Sequence, residues 1–227
     1  MKNINEQICG LFQEANIAYD NEGNIIELTI SRLSTKELPA EVFQLTKLKY
    51  LYLIDNQLTH LSSDIGKLIN LERLSLIRNQ LIDLPPELFQ LTKLKHLDIS
   101  DNQLSILPVE IGQLTKLVVL DLAHNQLTEL PAEISKLTNL RILRLDNNNL
   151  THLPAEIGQL TNLGHLYLDN NKLTHLPPEI GQLTKLGHLY LKNNQLTVLP
   201  TELFQLTDLS DLYLSNHILK LFISEYK

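Results

Sequence analysis

The sequence predicts an α/β repeat protein. The expected architecture is a curved solenoid with a parallel β-sheet on its concave side, short helices or turns on its convex side, and an N-terminal helical cap. Three observations carry this. The chain restarts every 23 residues, at Leu48, Leu71, Leu94, Leu117, Leu140, Leu163, Leu186 and Leu209. Each restart opens on the pattern LxxLxLxxNxL and continues into a variant of LPxEIGQLT, as in the unit 140–162, LRILRLDNNNLTHLPAEIGQLTN. Ahead of the repeats, Ile4, Ile8, Leu11, Phe12 and Ala15 recur at helical spacing over residues 3–16.

Taken in order, residues 1–24 form the cap, because a repeat stack leaves raw apolar ends that something must cover. Asp20, Asn21, Gly23 and Asn24 make the turn out of it. The repeats occupy 25–214, beginning with a weaker copy at Ile25 (IIELTISRLST), for about nine strands. Positions 4 and 6 of each unit are apolar, while positions 3, 5 and 7 vary, the period-two alternation of a strand. Stacked about 4.8 Å apart, nine such strands span roughly 40 Å.

Position 9 is asparagine in every central unit: Asn56, Asn79, Asn102, Asn125, Asn148, Asn171 and Asn194. The chain leaves the strand there, so its backbone groups need partners inside the core. A column of side-chain amides supplies both donors and acceptors. The end units carry Leu33 and His217 instead. Position 15 is proline (Pro85, Pro108, Pro131, Pro154, Pro177, Pro200), suited to the first turn of a short helix, and the glutamate two residues on favours that helix's N-terminus. Position 19 alternates between Gly112, Gly158 and Gly181 on one hand and Phe43, Phe89 and Phe204 on the other, which packing would explain. Residues 215–227 form a degenerate C-terminal cap, with Ile218, Leu219, Leu221, Phe222 and Ile223 expected to cover the last repeat.

The LxxLxLxxNxL run, repeated seven times in register, is the leucine-rich-repeat signature. The full LTxLPxEIGQLTxL unit resembles the intracellular Ras-group repeats of Ras suppressor, scribble and erbin, and their bacterial relatives. That resemblance implies an arc-shaped scaffold or adaptor that binds proteins and carries no activity of its own. It says little about which partner, because the family's invariant residues are structural.

Composition narrows the function classes. The 227 residues carry a formal net charge of −7, so no basic surface for nucleic acid is expected. The one cysteine, Cys9, rules out an intrachain disulfide; placed near the apolar side of the cap helix, it is expected to be partly buried. No apolar run reaches the roughly 20 residues of a membrane span. The first twenty residues lack the order of a secretion signal, so the expected home is cytoplasmic, or reached by export without a visible signal. A monomer is expected, with a dimer through the last thirteen residues or the concave face as the alternative.

In a solenoid, partner choice falls to the variable concave positions. Tyr167, Tyr190 and Tyr213 occupy position 5 on successive strands, beside His165 and His188 at position 3. Tyr50, Tyr52, Ile54 and Ile77 form a second group, followed by Val118, Val119 and Ile142. Tyrosines are enriched at interface hot spots, and apolar side chains facing out of an open sheet mark a contact surface. The competing explanation for the tyrosines is a ladder that stabilises the sheet or records repeat duplication.

No cofactor or metal is expected. His165, His188 and Asp211 offer too few ligands for zinc, which takes three or four. His96, Asp98, Ser100, Asp121 and His124 contain the residue types of a nucleophilic site, but an open sheet lacks the dry pocket that such chemistry needs. The expectation is therefore a binding module rather than an enzyme.

Overall fold

The computed structural model describes residues 4–32, 36–216 and 218. Helix α1 (Ile4–Leu11) leads into strands β1 (Asn16–Tyr19), β2 (Ile25–Ser31), β3 (Tyr50–Ile54), β4 (Arg73–Ser75), β5 (His96–Asp98), β6 (Val119–Asp121), β7 (Ile142–Arg144), β8 (His165–Tyr167), β9 (His188–Tyr190) and β10 (Asp211–Tyr213). They form one ten-stranded sheet in sequence order. Strands β2 to β10 are parallel and in register, so Leu51, Leu74, Leu97, Leu120, Leu143, Leu166 and Leu189 form one inward row. Each of these leucines is buried, and with the other framework leucines they make a single core running the length of the stack. A 23-residue period therefore means one strand, one turn and one layer of core per unit.

Between strands, the convex side carries five-residue 3-10 turns, such as Val109–Gln113 and Ala155–Gln159. The repeated proline lies one position before the turn, with ψ near 145° at Pro108 and 147° at Pro154. It is thus an extended N-terminal cap rather than a member of the first turn. Its carbonyl accepts the bond that closes the turn, from the Ile111 amide at 3.1 Å in one unit.

The convex stacking accounts for the glycine and phenylalanine alternation. A Cβ on Gly158 would fall 2.5 Å from the Glu179 carbonyl oxygen of the next unit, and one on Gly181 the same distance from that of Glu202. Glycine sits where consecutive turns meet backbone to backbone. Phe43 and Phe89 instead sink their rings into the core, whereas Phe204 lies exposed. Replacing Gly158 by alanine should force the two turns apart and cost about 1–3 kcal/mol in urea unfolding. The same substitution at exposed Gly10, which has open space around it, should cost much less.

At position 8 the chain turns out of each strand through the left-handed region. Arg32, Asp55, Arg78, Asp101, His124, Asn147, Asn170 and Asn193 have φ between 53° and 59°. Asparagine and aspartate adopt this conformation at least cost, and they hold five of the eight positions.

The N-terminal region departs from expectation. The helix ends at Leu11 rather than 16, and Leu11 faces solvent while Ile8 and Phe12 are buried. Residues 16–19 form an antiparallel strand against β2, with Asn16 opposite Thr29 and Ala18 opposite Glu27. The turn residues close that hairpin: Asp20 Oδ1 accepts the amides of Glu22 and Asn24, and Gly23 takes φ 81°. Cys9 is exposed, its Sγ 3.6 Å from Tyr19 Oη, rather than partly buried. At the other end, buried Ile218 joins the core. Leu33, His217, Leu219, Leu221, Phe222 and Ile223 lie outside the described residues.

Candidate functional site

The asparagine column connects units rather than closing each one alone. Asn125 Nδ2 donates to the Ile99 carbonyl of the preceding unit at 2.9 Å and to its own Leu122 carbonyl at 3.2 Å. Its Oδ1 accepts the Leu104 amide at 3.0 Å. Asn79, Asn102, Asn148 and Asn171 repeat this pattern from buried positions, and half-buried Asn194 ends it. Asn56 begins it with a bond to Ile30 O at 3.1 Å. These residues hold the concave backbone in place for the side chains it displays.

On that face, in-register pairing places Tyr167, Tyr190 and Tyr213 one strand apart. Their rings stack at 4.6 Å between centroids at both steps. The Arg144 guanidinium lies over Tyr167 at 4.9 Å and the Lys192 ammonium over Tyr213 at 5.0 Å, within cation–π range. Beside this column, His165 stacks on His188 at 4.3 Å, and His188 Nδ1 meets Asp211 Oδ2 at 2.6 Å. Burial, then the neighbouring His188, holds His165 below the usual imidazole range. Burial, then the flanking tyrosines, raises Tyr190.

Next to the tyrosines lies a row of carboxylates. Arg144 Nε is 3.5 Å from Asp121 and 3.6 Å from Asp146, so one guanidinium serves two acids. Asp146 Oδ1 is buried and accepts no hydrogen bond among the described residues. Burial pushes Asp121 up to about 6, aided by Asp98 and Asp146 and opposed by the Ala123 amide and Arg144. Burial also raises Asp169, although the Lys192 amide donates to it at 2.6 Å. These acids stood in the variable columns of the sequence, but their mutual crowding follows only from the lateral pairing of strands.

The apolar residues separate into two patches. Tyr50, Tyr52, Ile54 and Ile77 lie on and just beyond β3 and β4; Val119 and Ile142 pair on β6 and β7. All six are half-buried, and β5 lies between the patches. Three concave positions, Ser75, Ser100 and Ala123, are buried rather than displayed, since short side chains are covered by longer neighbours on a curved sheet. The most exposed aliphatic side chains lie elsewhere, at Ile106 in the loop after β5 and at Ile69 just past a convex turn. Sequence reasoning passed over them because they occupy no strand position.

The polar patch does not assemble a nucleophilic site. Ser100 Oγ donates to Asp98 at 2.7 Å, while His124 Nε2 lies 3.2 Å from Asn147 Nδ2. Among the described residues, no hydrogen bond joins His96 or His124 to Ser100, and no group of three or more His, Cys, Asp or Glu is placed to hold a metal. No described helix is long and apolar enough to cross a membrane.

A modular stack with a solvent-facing parallel sheet and a continuous asparagine column defines a repeat protein built to display side chains. The leucine-rich repeat region family matches residues 86–166 and 132–223, and the chain belongs to that family. A leucine-rich-repeat protein of Leptospira interrogans is similar at 40% identity over 89% of this chain and 53% of its own length, with a TM-score of 0.81. This chain thus spans about half of that protein. The Arabidopsis receptor kinase HAESA, solved in complex with the peptide hormone IDA and the co-receptor SERK1, is 31% identical over 88% of this chain and 35% of its own, with a TM-score of 0.74. An internalin of Listeria monocytogenes is 27% identical over 84% of this chain and 53% of its own, with a TM-score of 0.70. No curated protein matches.

Proposed function

We propose that this chain is a non-enzymatic binding module, with a repeat of the Ras-group type, that holds a protein partner against its concave face. Tyr167, Tyr190 and Tyr213 are its anchors, with His165 and His188 beside them. The observation that supports this most is the stacked column of three tyrosine rings, with Arg144 over its first ring and Lys192 over its last. Such rings offer rigid area at small entropic cost, and a hydroxyl at each rim. The HAESA complex with a peptide hormone lends support by analogy. The patch of Tyr50, Tyr52, Ile54 and Ile77, with Val119 and Ile142, extends the same surface.

The test is capture from native lysate by the wild type and by a Tyr167/Tyr190/Tyr213→Ala variant whose fold is checked by circular dichroism. A partner held by the wild type should be lost by the variant. Tyr190→Ala alone should weaken it at least tenfold, the scale of a hot-spot truncation. Equal retention by both proteins, or unfolding of Tyr190→Ala, would refute this assignment.

A further inference from the structure

The chain as a whole is acidic, but the sheet edge where the strands begin is basic. The residues one and three places before each strand from β3 to β10 include Lys47, Lys49, Lys93, Lys95, Lys116, Arg141 and Lys185, against the carboxylates Glu72 and Asp208. Backbone bonds tie the inner members into one row: Glu72 N to Lys49 O, Lys95 N to Glu72 O, Val118 N to Lys95 O and Arg141 N to Val118 O, each 2.8 Å. Consecutive members are therefore about one strand spacing apart, near 4.8 Å.

Some of these cations are engaged. Lys95 pairs with Glu72 at 2.7 Å, and Glu72 is held below the usual carboxylate range by that bond, with Lys49 and Lys93 adding to it. Lys93 and Lys185 donate to Asn70 and Asn162. Lys116 and Arg141 make no ion pair and no side-chain hydrogen bond among the described residues. Both face an open cleft of about 330 Å³ that they line with Lys95, Val118, Asn139 and Asn162. The amides of Asn139 and Asn162 are fixed by bonds to Thr115 O and Thr138 O, both 2.8 Å, so the cleft wall is already ordered. The next two residues of the row, Gly164 and Gly187, add no side chains to close it.

We propose that this cleft is a second binding site, separate from the tyrosine column, for a short acidic segment of a protein. Lys116 and Arg141 hold its carboxylates, and half-buried Val118 takes an apolar side chain between them. Arginine presents a fork matched to a carboxylate, and lysine adds a point charge one unit away. A long uniform polyanion fits less well. Asp98 and Asp121 lie three residues further along the same and the adjacent strand, about 10 Å away, near the Debye length at physiological salt. They would repel a chain of charges continuing across the face. Glu72 and Asp208 interrupt the row in the other direction.

The test is fluorescence anisotropy with a labelled Val-Glu-Glu-Val-Glu-Val peptide at low salt, on the full chain. The peptide should bind, weaken as salt is raised, and lose at least tenfold in affinity to Lys116→Glu with Arg141→Glu. Lys116→Gln with Arg141→Gln should give a smaller loss in the same direction, and guards against misfolding of the reversed variant. Tyr190→Ala should leave the affinity unchanged, which separates this site from the concave one. Equal binding by the wild type and both double variants would overturn the proposal. So would a heparin hexasaccharide bound more tightly than the peptide, or no anisotropy change up to about 1 mM protein.

Discussion

Asn125→Ala is expected to destabilise the protein by about 3 kcal/mol in urea unfolding. The side chain makes four bonds, to Ile99 O, Leu122 O, Ala123 O and from Leu104 N, and is 7% exposed. Alanine leaves the Leu104 amide without its partner in a space with little access to water, while Ile99 O, Leu122 O and Ala123 O each lose one donor and keep another, from Asn102, Asn148 and the Asp101 amide. The one unsatisfied buried amide costs on the order of 1–3 kcal/mol, and the three lost bonds to carbonyls that keep a second donor add to it. The amide also joins two units, so its loss falls on the coupling between neighbours that holds a repeat stack together. Unfolding should therefore lose cooperativity, with a reduced slope against urea. Asn194→Ala, at a half-buried position, should cost less. A loss below 1 kcal/mol at Asn125 would show that water substitutes for the amide.

The second large effect is a dependence on pH centred on Asp121. Burial, with Asp98 and Asp146 nearby, raises its carboxyl from 3.8 to about 6 against the Ala123 amide and Arg144. Between those two values the folded protein keeps a proton that the unfolded chain releases. The contribution of this group to stability is thus full below about pH 4, declines as pH rises to about 6, and stays low beyond. The total change is about 2–3 kcal/mol, from roughly 1.4 kcal/mol for each pH interval of one. Asp121→Asn keeps the shape and the acceptor for Ala123 N but cannot ionise. It should be more stable than the wild type by about 1–2 kcal/mol at pH 8 and no more stable at pH 4. A variant weaker than the wild type at pH 8 would mean that the pairing with Arg144 outweighs the burial of charge.

The framework was legible because every role is repeated. One leucine at position 4 is ambiguous, but nine in register specify a strand and its inward face together. The asparagine at position 9 was readable for the same reason, since a buried turn must satisfy its own backbone. What occurs once was harder to read. Residues 16–19 have no second copy, and the apolar spacing of Ile4, Ile8 and Phe12 carried the expected helix past its end at Leu11. The meaning of Gly158 against Phe89 depends on what the next turn brings within 3 Å, which no single unit states. At the candidate site, the tyrosine column followed from period and alternation. The sharing of Arg144 between Asp121 and Asp146, and the crowding that raises Asp121, arise between strands 23 residues apart. The basic edge was hidden by the net charge, an average over faces of opposite sign.

The eight left-handed residues at the strand exits restrict the vocabulary available to evolution, or to an engineer, along one side of the display face. Positions 3, 5 and 7 accept valine, isoleucine, threonine and tyrosine, as Val119, Ile54, Thr29 and Tyr190 demonstrate. Position 8 holds only Arg, Asp, His and Asn. A β-branched residue there would clash with its own backbone. A combinatorial library built on this scaffold should diversify the strand columns freely but confine the exit column to unbranched polar residues and glycine. New specificities will then arise from hydrophobic variation at the strand centres and polar variation at their exits.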